Sequence, residues 1–140
     1  MKAEELLENY EQNQDELSAD LWLLGRMLKQ EVGGSYDRKE YGKILNRFCA
    51  CADFRNDPVV DERLAHAPDC YQKLSLAEWA IRNRSKRQRM ILSGLYVERK
   101  TWQELELELG ISQATISRER RKAIHEISHA LASFPSYERK

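Results

Sequence analysis

Apolar residues recur over the first thirty positions at alternating steps of three and four. Ala3, Leu7, Tyr10, Leu17, Leu21, Leu24 and Leu28 form the seam, with Gln14 its one polar member. This spacing predicts a helix over residues 3–32 with an a/d stripe. Leu6, Trp22, Leu23 and Met27 widen the stripe beyond a strict two-stranded seam. The helix therefore packs either on a second helix of the same chain or on a second copy. Gly33-Gly34-Ser35 breaks the pattern and offers an N-cap. Tyr41, Ile44, Leu45, Phe48 and Ala52 then share one face of a second helix, from Tyr36 to Phe54, which pairs with the first as a hairpin. Between Arg55 and Tyr71, Pro58, Pro68 and scattered acidic and His residues spoil the periodicity. That stretch predicts a linker, with at most a short helical turn around Val60–Ala65.

Three helix starts follow in close succession. Ser75-Leu-Ala-Glu78, Ser85-Lys-Arg-Gln88 and Thr101-Trp-Gln-Glu104 each fit the capping box, in which a hydroxyl accepts from an otherwise orphaned backbone N–H. Trp102, Leu105 and Leu109 lie at helical spacing, and Gly110 fits the left-handed position that ends a helix. Ile111 is placed to plug the turn, and Ser112 caps a last helix whose buried face is Ile116, Ala123, Ile124, Ile127 and Leu131. Helix, glycine turn and capped second helix make the helix-turn-helix order.

Charge sharpens the picture. The 23 basic and 23 acidic residues cancel overall, yet residues 1–31 carry −5, 32–81 carry −1 and 82–140 carry +6. The gradient points to a basic module for a polyanion and an acidic module with another task. A hydrophobic content of 41% is enough for a core, so the chain is not disordered throughout. No apolar run approaches the ~20 residues of a membrane span. The acidic start lacks the apolar stretch of a signal peptide, so the cytoplasm is the expected compartment, without a membrane partner.

A second helix held across a tight turn can enter the major groove with its first residues against base edges. Opposite the buried positions lie Gln113, Ala114, Ser117 and Arg118, the candidate base contacts. Gln matches an adenine edge, Arg a guanine edge, and Ala a thymine methyl. Ser112, Thr115, Arg120, Arg121 and Lys122, with Arg87 and Arg89 from the preceding helix, are the candidate phosphate contacts.

Residues 83–131 resemble region 4 of bacterial sigma factors. The likeness lies in Arg89-Met-Ile-Leu-Ser-Gly-Leu-Tyr96, then Trp102-Gln-Glu-Leu-Glu-Leu-Glu-Leu-Gly110, then Ile111-Ser112, Thr115-Ile116, Arg118 and Ala123-Ile124. The resemblance implies base contacts at Gln113, Ala114, Ser117 and Arg118, with Thr115 and Arg121 toward phosphates. Glu106 stands where that family carries a small residue. In length and layout the whole chain is similar to the small late-gene transcriptional regulators of Gram-positive phages and prophages, the ArpU and RinA type. This implies a DNA-binding regulator acting at promoters, with RNA polymerase as a further partner.

Other chemistries find less footing. Cys49, Cys51, His66 and Cys70 could make a zinc set, but Cys49 and Cys51 stand about 200° apart on a helix and cannot converge on one ion there. No metal or other cofactor is therefore expected. His125 and His129 sit at i, i+4 without an evident third ligand. No phosphate-binding glycine loop or nucleophile elbow is present, and the chain is not expected to be an enzyme. The expected architecture is all-α: an acidic helical region for oligomerisation or partner binding over 1–56, a linker over 57–74, a three- to four-helix DNA-binding module over 75–134, and a tail over 135–140. The alternative is a protein-interaction module on the same scaffold, such as an anti-repressor or polymerase-binding inhibitor.

Overall fold

The computed structural model describes residues 2–27, 41–46 and 57–133, and no strand occurs among them. In chain order they form α1 (Ala3–Glu8), α2 (Tyr10–Met27), α3 (helical over 41–46), α4 (Pro58–Arg82) and α5 (Lys86–Leu92). A π-helical turn over Ser93–Val97 continues α5, and α6 (Trp102–Leu109) and α7 (Gln113–Leu131) follow. The protein is all-α. It divides into two compact units, one of Gln12–Leu74 and one of Met1–Glu11 with Ser75–Lys140.

The expected first helix is present but broken. Asn9 departs from helical angles (φ −88°, ψ 7°) between α1 and α2. Asn competes for backbone partners through its side chain, which disfavours it inside helices. Ala3, Leu7, Tyr10, Leu17, Leu21 and Leu24 are buried as the seam requires. The polar members are different: Asn13 and Asp20 are buried, whereas Gln14 is only half-buried. These apolar seam side chains are covered within the chain itself. Trp22 stands half-exposed beneath the Arg26 guanidinium, 5.5 Å from the ring centroid. Leu28, Gly33-Gly34-Ser35 and most of the expected Tyr36–Phe54 helix lie outside the described residues, as does the 135–140 tail. Within 41–46, Ile44 is fully buried, and Tyr41 stacks on Tyr71 of α4 with centroids 4.0 Å apart.

The largest departure is the linker. Residues 58–74 are helical, the first two-thirds of α4. Asp57 caps this helix, accepting from the backbone N–H of Val59 at 2.9 Å, and Pro58 takes the first helical position. There its lacking N–H is no loss and its fixed φ suits the helix. Pro68 sits mid-helix, where it removes a backbone bond. Burial of Val60, Ala67, Cys70 and Leu74 along one face outweighs that defect. Ser75 is consequently not a cap; it lies inside α4 with its hydroxyl buried.

In the unit that contains the C-terminal helices, α7 packs on α1, α5 and α6. Ile91, Leu105 and Ile116 form a fully buried cluster, bordered by Leu95, Trp102, Leu109 and Ile111. Gly94 in the π turn permits the closest approach, because a Cβ there would lie 2.5 Å from Cδ2 of buried Leu105. Arg84 fastens the end of α4 to α7 through Glu126 at 2.8 Å.

Candidate nucleic-acid interface

Both helices flanking the glycine turn start on hydroxyl caps. The Thr101 hydroxyl accepts from the Glu104 N–H at 3.1 Å, and that of Ser112 from the Thr115 N–H at 3.2 Å. Ser85 does the same for α5 through the Gln88 N–H at 3.3 Å. Gly110 takes φ 67°, ψ 29°, the left-handed conformation expected of it, and its N–H closes on Glu106 O at 2.9 Å. A turn of Gly110, Ile111 and Ser112 thus separates α6 from α7. With Ile116 fully buried, the rotation of α7 is set, and the residues two positions away, Ala114 and Arg118, turn outward.

Gln113, Ala114 and Arg118 are exposed, and Ser117 is half-buried beside them. The Gln113 amide donates to Glu106 Oε2 at 2.9 Å, so Glu106 spans the turn from α6 and fixes that side chain. One amide hydrogen and the carbonyl oxygen of Gln113 stay available. Arg118 lies against the Thr115 hydroxyl at 3.5 Å, and Arg121 against Ser117 O at 3.5 Å. Arg121, Lys122, Arg87 and Arg89 are all exposed, and none forms an ion pair with another described residue. The hydroxyls of Ser112 and Thr115 meet at 3.0 Å, and Ser112 is already the helix cap, so both serve first to start α7.

Arg120 departs from its expected role as a phosphate contact. Its Nε donates to the Tyr96 hydroxyl at 2.7 Å and its Nη2 to Glu4 at 2.6 Å, with the side chain only 20% exposed. One turn beyond Ile116, it belongs to the packed flank of α7. Burial raises the Tyr96 pKa, against the opposing effect of the Arg120 guanidinium. This Glu4–Arg120–Tyr96 chain ties α1 to α7 and to the π turn, and no local sequence signal announces it.

A second polar constellation lies in the Gln12–Leu74 unit. Asp20, fully buried, accepts from Arg63 Nη1 at 2.8 Å and meets His66 Nδ1 at 2.5 Å. The other ring nitrogen, His66 Nε2, lies 3.3 Å from Glu16 Oε2 and 3.5 Å from Cys70 Sγ. The hydrogen bond to Asp20 raises the His66 pKa against the effect of burial. Burial, reinforced by Glu16, pushes the Cys70 thiol up to about 12. The hydrogen bond from Gln12 heads the causes that lower the Glu16 pKa. Of the four residues weighed as a zinc set, His66 and Cys70 come together, whereas Cys49 and Cys51 lie outside the described residues. Glu16 and Asp20 escape a sequence reading because acidic residues on a helix are ordinarily solvated. His125 and His129 are exposed, with ring centroids 6.3 Å apart.

No protein-family model, no curated protein and no solved structure matches this chain.

Proposed function

We propose that this chain binds double-stranded DNA sequence-specifically through α7 and regulates transcription at promoters, in the manner of the phage and prophage late-gene regulators that its sequence resembles. The observation carrying this reading is the exposed, amide-bearing and cationic start of α7, anchored from behind by Ile91, Leu105 and Ile116. In the major groove, Gln113 would read an adenine edge with its free amide hydrogen and carbonyl oxygen. Arg118 would read a guanine edge, Ala114 a thymine methyl, and Ser117 either partner. Arg121, Lys122, Arg87 and Arg89 would meet phosphates and set register without reading sequence. Glu106 acts as a positioning residue that aims Gln113. Contact with RNA polymerase belongs to the same proposal, with the acidic N-terminal helices as the candidate surface.

A second reading, a protein-binding module, draws on one feature of α6. Leu107 is 85% exposed on a helix that also carries Glu104, Glu106 and Glu108. Apolar exposure amid like charge suits a protein partner better than a polyanion. Selection of duplexes from a random library by the full chain, followed by titration at several salt concentrations, separates the two. DNA binding predicts a recovered motif and a log–log salt slope of roughly −0.9 per phosphate contact. Arg118→Glu should then lose the selected duplex. Undiminished binding by that variant, or no recovered motif, transfers the assignment to the protein-binding reading.

A further inference from the structure

Glu16 and Asp20 on α2, and His66 and Cys70 on α4, are two i, i+4 pairs, and their side-chain tips converge. We infer that Glu16, His66 and Cys70 form a zinc(II) site, with Asp20 orienting the histidine from behind. The inference does not depend on the DNA-binding reading, since all four residues belong to the Gln12–Leu74 unit.

Geometry is the first support. The three donor atoms form a triangle of 3.3 Å (His66 Nε2 to Glu16 Oε2), 3.5 Å (Cys70 Sγ to His66 Nε2) and 3.6 Å (Cys70 Sγ to Glu16 Oε2). Tetrahedral zinc with bonds of about 2.3 Å to sulfur and about 2.0 Å to nitrogen and oxygen requires edges of about 3.3, 3.5 and 3.5 Å in that order. The agreement holds for all three edges at once.

The surroundings of the histidine are the second support. With Nδ1–H donating to Asp20, Nε2 is the nitrogen that faces Glu16 and Cys70 and would ligate the ion. Asp20 is itself held by Arg63. A buried carboxylate behind a ligating imidazole is the arrangement that fixes tautomer and ring orientation at zinc. Without metal, an imidazolium bridges Asp20 and Glu16, and the Cys70 thiol donates to the same Glu16 Oε2 at 3.6 Å. Zinc would take the place of those two protons on the same three donor atoms.

Donor chemistry narrows the ion. Thiolate, imidazole and carboxylate together suit zinc, whereas magnesium and calcium take oxygen ligands. Thiolate and carboxylate also balance the charge of a divalent ion. The Glu16 and His66 side chains are 38% and 39% exposed, so solvent can fill the fourth position. Bound there, zinc would clamp α2 to α4 without contribution from Cys49 or Cys51.

The full chain, freed of metal by a chelator, is titrated with zinc and with cobalt(II) as a spectroscopic probe. One ion per chain is expected, the cobalt form showing a thiolate charge-transfer band and ligand-field absorption of tetrahedral intensity. Cys70→Ser should abolish the charge-transfer band, while Cys49→Ser and Cys51→Ser leave it intact. Asp20→Asn, which keeps all three ligands, should weaken zinc binding about 10–100-fold. The unmutated chain decides the matter even if a variant fails to fold. Folded protein that takes up no stoichiometric ion, or binds cobalt without the thiolate band, overturns the site. So does a band that survives Cys70→Ser and disappears with Cys49→Ser or Cys51→Ser.

Discussion

Gln113 is the residue on which the proposed base reading rests most directly. Its amide is exposed yet tethered to Glu106 at 2.9 Å, so little side-chain freedom would be lost on meeting an edge. Gln113→Ala should cost roughly 1–3 kcal/mol on the selected duplex and relax preference at a single base pair. Competition titrations against single-base variants measure this. Equal losses on every duplex would make Gln113 a backbone contact instead. The outward placement of Ala114 and Arg118 was readable from helical phase, because Ile116 and Ala123 set the buried side of α7, whereas Gln113 is exposed as the first residue of the helix. Arg120 was not readable. Its partners Tyr96 and Glu4 lie 24 and 116 residues away, and no local rule distinguishes an arginine bound for a tyrosine hydroxyl from one facing phosphate.

Among the helices, starts were more legible than continuations. Ser85, Thr101 and Ser112 cap as their spacing predicts, and each bond lies within three residues of its donor. Ser75 satisfies the same pattern and does not cap, because α4 already runs through it. Asp57-Pro58, an acidic cap followed by a proline at the first helical position, was a usable signal for the start of α4. Pro68 obscured it. A proline inside a helix forfeits one backbone bond and crowds the preceding turn, so α4 persists here on its buried face. Pro68→Ala should therefore stabilise the protein, by about 1–2 kcal/mol after the added freedom of the unfolded chain is set against the regained bond. Denaturant unfolding tests this. A loss of stability would show that the proline ring itself supplies needed packing.

The unit carrying the candidate DNA surface is assembled from both ends of the sequence, Met1–Glu11 with Ser75–Lys140. The expected boundaries, 1–56 against 75–134, miss this. Leu6 and Leu7 of α1 are fully buried, and α1 packs on α7. Leu7→Ala should accordingly lower stability by about 2–5 kcal/mol. It should weaken DNA binding only as far as the folded fraction falls, with calorimetry and duplex titration on one sample separating the effects. If Leu7→Ala unfolded nothing, α1 would be an appendage to the unit. Periodicity, caps and the glycine at 110 were enough to establish a helical chain, the turn between α6 and α7, and the outward side of α7. Each is governed by interactions within a few residues along the backbone. The continuity of α4, the capture of Arg120 and the meeting of Glu16 with His66 and Cys70 depend on which surfaces touch across tens of residues. Burial and charge pairing at such separations emerge once the helices have packed, and for that reason they leave no local imprint.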